Sequence, residues 1–170
     1  KINYPLFPDS PITDFEAVIL RNSGNDWNAT MFRDALMTTL VRDTGTGIQA
    51  YRPVVVFLNG RYWGIQNLRE KFNEHYLASH YGVDTREIDL LDGSPMAVVG
   101  DTEHYSRTKA FIAKQDLSIA RNYDHIQTLI DADDFIEYQV AQIYFGNMDW
   151  PGDNIKYWRP KHAYGKWRWL

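Results

Sequence analysis

Tyr144-Phe145-Gly146-Asn147-Met148-Asp149-Trp150-Pro151-Gly152-Asp153-Asn154-Ile155-Lys156-Tyr157-Trp158-Arg159 is the stretch around which the chain is organised. A helical pattern runs into it, Trp150-Pro151-Gly152 breaks that pattern, and the strand-like Ile155-Lys156-Tyr157-Trp158 leaves it. Asp149 sits at the break and Asn154 follows five positions later. A carboxylate on a loop held between a helix and a strand is placed for chemistry more often than for packing. The bland alternative is a capped helix end and a turn, with Asp149 and Asn154 bonding local backbone. An Asp followed five residues later by an Asn that opens a strand is also the spacing of a protein-kinase catalytic loop. There the Asp orients or deprotonates the acceptor hydroxyl, and the Asn carboxamide holds a magnesium ion.

Working outward, Asp133 to Phe145 has apolar residues at Phe135, Ile136, Val140, Ile143 and Tyr144, which predicts a helix capped by Asp131 or Asp133. On the other side, Ile155 to Arg159 and Lys166 to Leu170 read as a hairpin around Pro160 to Gly165. Further upstream, Tyr123 to Ile130 and Thr102 to Ile112 read as helices, and Ile88 to Leu91 as a short strand ended by Asp92-Gly93-Ser94-Pro95. Asn73 to Tyr81 reads as a helix with Asn73 as cap and Gly82 as stop. Val54-Val55-Val56-Phe57-Leu58, Asn59-Gly60 and Tyr62 to Glu70 form the strongest hairpin signal in the chain. Thr30 to Val41 reads as a helix capped by Asn28 or Thr30, and Phe15 to Arg21 as one strand followed by a turn at residues 22–26. The proline-rich first 14 residues read as an extended arm. Strands first and helices later predict an α+β fold, in one domain with a strand-rich part over about 15–95 and a helical part over about 100–170.

The 170 residues suffice to bury a sizeable core. A net charge of −4 with interspersed signs implies no broad basic face for nucleic acid. Cysteine is absent, which removes disulfides, thiolate metal sites and a cysteine nucleophile. No apolar run approaches membrane-spanning length and no signal peptide is visible. The chain starts at Lys1 and stops at Leu170 inside the strand-like run Lys166-Trp167-Arg168-Trp169-Leu170, and reads as an excised piece of a longer protein. Six Trp, eleven Tyr and eight Phe suit either a carbohydrate-binding surface or ordinary packing, and their alternating patterns favour packing.

Several side chains carry possible chemistry. Arg69-Glu70-Lys71 ends the central strand, where alternation puts Arg69 and Lys71 on one face and Glu70 on the other. A basic residue there can meet phosphates and a carboxylate can orient it or a metal; the bland reading is a solvated strand end. Arg33-Asp34 and Arg21 are further candidates for phosphate contact, each also readable as a salt-bridge partner. No GxGxxG or GxxxxGK[ST] is present, which argues against a Walker-type site. The histidines at 75, 80, 104, 125 and 162 are scattered off any zinc-helix spacing and read as surface or capping residues. Asp133-Asp134 could serve glycoside hydrolysis, but capping explains an acid at a helix start.

A set of longer words is more specific. Leu58-Asn59-Gly60-Arg61-Tyr62-Trp63-Gly64-Ile65, Asn67-Leu68-Arg69-Glu70-Lys71, Ile88-Asp89-Leu90-Leu91-Asp92-Gly93, Asp133-Asp134-Phe135-Ile136-Glu137-Tyr138-Gln139 and the stretch from Asn147 to Arg159 occur in this order. Over residues 15 to 170 the chain resembles the CotH kinase family, named for spore coat protein H. The resemblance implies an atypical protein-kinase-like fold, ATP and Mg2+ or another divalent cation as cofactors, and a protein substrate such as a coat or surface protein. It implies an extracellular or cell- or spore-surface location. It gives Asp149 the catalytic role and Asn154 the metal-ligand role, and Glu70 matches the family's recurrent strand-end glutamate. Arg69, Glu70, Lys71 and Arg33 are the candidates for nucleotide binding, with the choice of basic residue on the phosphates left open. The chain departs from ordinary kinases in having Asn147-Met148 for His-Arg before the Asp, no Gly-rich phosphate loop and no placeable Val-Ala-Ile-Lys lysine. The family usually continues past Lys-Trp-Arg-Trp into an Asp-Leu-Asp segment, so the resemblance implies a catalytic domain truncated at Leu170. A noncatalytic coat or scaffold module with the same fold and a carbohydrate-binding domain are the rival readings.

Overall fold

Asn59 and Gly60 adopt left-handed backbone, φ 50° and 78°, in the computed structural model, which describes all residues 1–170. Two successive positive φ values give the tight turn whose twist matches paired antiparallel strands. They join β4 (Tyr51–Leu58) to β5 (Arg61–Glu70), so the hairpin read from Asn-Gly is present. A bulge lies between Val56 and Phe57. β3 (Val18–Arg21) pairs antiparallel with the other edge of β5, giving the order β3-β5-β4. The single strand expected over Phe15 to Arg21 is divided: β1 (Ile2–Asn3) pairs with β2 (Asp14–Phe15), and β3 begins only at Val18.

These strands belong to a compact unit of residues 1–43 and 48–82. It also contains a 3-10 turn (Gly24–Asp26), α1 (Arg33–Leu40) and α2 (Glu74–Tyr81). Neither Asn28 nor Thr30 caps α1. Asp26 does the work from outside the helix, its carboxylate accepting from Arg33 N at 3.0 Å, Thr30 N at 3.2 Å and Thr30 Oγ1 at 2.5 Å. These donors, the Thr30 hydroxyl foremost, pull the Asp26 carboxyl down to about 2. α2 follows the expected caps: Asn73 Oδ1 accepts from Tyr76 N at 3.0 Å, and Gly82 closes the helix at φ 68°. Phe7 and Phe15 meet edge to face at 5.4 Å in the buried part of this unit.

The second unit comprises residues 44–47 and 83–170. β6 (Ile88–Asp92) and β7 (Met96–Val99) form a hairpin, and β6 also pairs antiparallel with β8 (Lys156–Pro160). β8 pairs with β9 (Arg168–Trp169), giving the order β7-β6-β8-β9 and the expected C-terminal hairpin. Along the chain the first unit ends at Gly82 and the second resumes at Val83. Ile88, Leu90 and Leu91 are completely buried, and the strand they form takes its partner from more than sixty residues downstream. The helices are α3 (Glu103–Lys114), α4 (Ala120–Leu129) and α5 (Ala132–Tyr144). Asp131 is the residue that caps α5, accepting from Asp134 N. Leu91, Tyr138, Tyr157, Trp167 and Trp169 form the core, with Tyr105, Ile130, Trp150 and Ile155 packed against it. Most of the tryptophan in this unit is thus spent on packing. The fold is α+β, and no helix is long and apolar enough to cross a membrane.

Candidate functional site

The loop from Phe145 to Ile155 is held at two points by the core of its unit. Trp150 and Ile155 both pack against the cluster around Leu91 and Tyr157. Between those anchors the polar residues are exposed. Asn147 organises the helix exit: its backbone N–H donates to Gln142 O at 3.0 Å, and its Nδ2 donates to Gln142 Oε1 at 2.6 Å. Its Oδ1 accepts from Asp149 N at 3.1 Å, a side-chain turn that sets the backbone of the acid. The Asp149 carbonyl then accepts from Gly152 N at 3.1 Å and Asp153 N at 2.9 Å. The carboxylate is left out of all this backbone bonding. Its one protein partner is Asn154, whose Nδ2 donates to Asp149 Oδ2 at 3.2 Å.

Asn154 makes that contact from a left-handed backbone, φ 58°. Asn tolerates this conformation better than most residues, which gives a local reason for its place at the mouth of β8. With its amide nitrogen bonded to Asp149, the carboxamide oxygen is the atom available to a cation. The loop thus brings a carboxylate and an amide oxygen side by side on the surface of one rigidly based turn. Two residues further on, Lys156 is ion-paired with Asp92, its cross-strand partner on β6.

The four residues assigned to nucleotide binding all lie in the first unit. Arg69 is 3% exposed and donates to Asp34 Oδ2 at 2.7 Å and Thr38 Oγ1 at 3.3 Å. Glu70 is equally buried and fully engaged: Oε1 lies 2.8 Å from His80 Nε2, and Oε2 accepts from Ala50 N at 2.9 Å. Arg33 is half exposed and pairs with Asp26 at 3.3 Å. Lys71 is exposed and borders a pocket of about 140 Å³ that also takes in Asp14, Glu16, Glu70 and His75.

Sequence reasoning missed the residues that hold these groups. Asn147 was legible as an Asx-turn spacing two residues before Asp149, and Asp26 as an acid two residues beyond a glycine. His80 is exposed, as scattered histidines suggested, and His104 is half-buried, yet both make specific contacts. His80 stacks on Tyr76 at 4.0 Å while holding Glu70, and His104 Nδ1 accepts from Trp167 Nε1 at 3.0 Å. Asp134, one of the acids considered for glycoside chemistry, is buried and accepts from Trp169 N at 2.7 Å. Burial pushes its carboxyl up to about 6 against the pull of that bond.

A family model for CotH kinase protein matches residues 1–170, the whole chain. The chain belongs to the CotH kinase family. No curated protein matches it. For this CotH kinase chain, the family match spans both the loop carrying Asp149 and Asn154 and the strand end carrying Arg69 and Glu70.

Proposed function

We propose that this protein is an atypical, ATP-dependent protein kinase of the CotH type, with residues 1–170 an incomplete catalytic domain. The observation that carries the reading is the direct contact of the Asp149 carboxylate with the Asn154 carboxamide, in a chain of the CotH kinase family. In the transfer, a Ser or Thr hydroxyl oxygen of a protein acceptor bonds to the γ-phosphorus of ATP as the bond from that phosphorus to the β,γ-bridging oxygen breaks. ADP leaves with the bridging oxygen. Asp149 orients the acceptor hydroxyl and takes its proton. Asn154 holds the Asp149 carboxylate in place and offers its amide oxygen to a divalent cation.

The donor set fits such a cation in part. Mg2+ is commonly bound through one or two protein oxygens with phosphates and water completing the shell, and Asn154 can supply one. No cluster of three or more His, Cys, Asp or Glu is present to hold a metal without such help. A bound cation supplies charge neutralisation on the phosphates. Of the four nucleotide-binding candidates, Lys71 and Arg33 have exposed head groups, while Arg69 and Glu70 serve by fixing their surroundings.

The reading of residues 1–170 as an incomplete domain draws support from α5. Ile136, Val140, Ile143 and Tyr144 share one helix face and are 53%, 59%, 66% and 81% exposed. An amphipathic helix normally buries such a stripe, and further polypeptide of the same domain would do so. We place the protein outside the cell or at a cell or spore surface, acting on coat or surface proteins, on the strength of its family. The test is radiolabelled phosphate transfer from ATP by the full-length protein, wild type against Asp149→Asn. Transfer lost in a folded variant supports the enzyme; no transfer by the wild type with any divalent cation leaves the noncatalytic scaffold.

A further inference from the structure

The half-exposed Arg21 and the buried Arg69 both donate through a terminal guanidinium nitrogen to the same oxygen, Asp34 Oδ2. Two guanidiniums on one carboxylate leave a net positive charge at the end of β3. That charge is anchored: Arg69 is 3% exposed, is tied again to Thr38, and has its Nε buried with no partner. Burial foremost, and the repulsion of Arg21 after it, lower the affinity of Arg69 for its proton against the pull of Asp34. Arg21, 48% exposed, is the member open to a ligand. Gly24 lies beside it. A Cβ on Gly24 would stand 3.4 Å from an Arg21 terminal nitrogen, and φ +55° there disfavours any side chain. Arg33 is placed differently, because its acid partner Asp26 already accepts three other hydrogen bonds but is shared with no second arginine.

We propose that Arg21, fixed to buried Arg69 through their shared Asp34, is a phosphate-binding residue of the first unit and takes a phosphate group of the nucleotide. The nucleotide part rests on the kinase reading above; the anion site does not. A forked guanidinium with free donors binds phosphate oxygens in pairs, and an added anion offsets the unbalanced positive charge.

Isothermal titration calorimetry with inorganic tripolyphosphate and with ATP tests it, using wild type, Arg21→Ala, Arg21→Lys and Arg61→Ala. Arg61 is an exposed arginine beside the hairpin turn, so its loss controls for net charge alone. The expected result is affinity for both ligands about tenfold or more lower in Arg21→Ala, partly recovered in Arg21→Lys, and within about twofold of wild type in Arg61→Ala. A thermal melt shows that each variant is folded at the titration temperature; Arg21→Gln replaces Arg21→Ala if the latter is not. Unchanged binding of ATP and tripolyphosphate in a folded Arg21 variant overturns the proposal and leaves the kinase reading standing. Equal losses in Arg21→Ala and Arg61→Ala overturn it as nonspecific charge attraction. Tripolyphosphate binding that depends on Arg21 without ATP binding upholds the anion site and removes the nucleotide reading. Wild type that binds neither ligand removes both.

Discussion

Asn154 Nδ2 donates to Asp149 Oδ2 at 3.2 Å, so the two polar residues of the loop are joined to each other through their side chains. The backbone of Asp149 is handled by other groups, Asn147 on its N–H and the turn amides of Gly152 and Asp153 on its carbonyl. Had the carboxylate capped the turn itself, it would not be available for proton transfer. Here the turn is built without it.

Replacing Asp149 by Asn should therefore separate activity from folding. Asn keeps an oxygen that can accept the Asn154 bond, but it cannot take a proton from an acceptor hydroxyl. In the full-length protein, phosphate transfer should fall by roughly 10²–10⁴-fold, the range of general-base loss. Stability should change by no more than about 0.5 kcal/mol, as for an exposed side chain. Asn154→Ala should raise the divalent-cation concentration needed for half-maximal transfer, since it deletes an oxygen ligand. The checks are a radiolabel assay over a cation titration and a thermal melt of each variant.

Asp26 should make the protein acid-sensitive. Its carboxyl is held at about 2, below the ordinary 3.8, by the Thr30 and Arg33 donors. A depressed folded-state value means stability that is present above the unfolded value and lost as pH falls from about 4 towards 2. Asp26→Asn should melt below wild type at pH 7, and the gap should close as pH falls through that window. Melting curves from pH 7 to 2 read this directly; a gap that persists unchanged at pH 2 would assign the loss to packing.

Asp134 should act with the opposite sign at milder pH. Burial raises its carboxyl from 3.8 to about 6, so the folded state holds the proton more tightly than the unfolded chain. Its contribution is fully present below about 4 and is lost as pH rises through about 6. Asp134→Asn keeps an oxygen for Trp169 N–H and has no proton to lose. Relative to wild type, that variant should gain stability as pH rises from 4 to 6, measured by urea unfolding at each pH.

Gly60→Val should destabilise the hairpin by about 1 kcal/mol or more, because a β-branched residue is strained in left-handed backbone. Gly60 has φ 78° and nothing within 4 Å of an added Cβ, so strain and not crowding would be measured. Chemical denaturation of wild type and variant gives the value.

How much was legible follows from the range over which each feature is decided. The Asn59-Gly60 hairpin, the Asn73 and Gly82 caps of α2, and the helix leading to Asp149 were all readable, because turn chemistry, capping and apolar periodicity act within a few residues. The pairing of Asp149 with Asn154 was readable only as a spacing; that their side chains meet depends on the left-handed backbone at Asn154.

Tertiary structure decided the rest. The Ile88–Asp92 strand belongs with β8 because burying three completely covered aliphatic side chains requires a distant partner strand, which no local pattern names. Alternation along β5 told that Arg69 and Glu70 point to opposite faces. Only the packing of α1 and α2 on those faces decided that Arg69 meets Asp34 and Glu70 meets His80. A charge taken out of water must be paired, and which partner it finds is set by whatever helix the fold lays against it. The sequence by itself determined the Asn59-Gly60 and C-terminal hairpins, the caps of α2 and α5 and the chemical groups on the loop; long-range burial determined which of its charges are spent on structure and which stay open to a ligand.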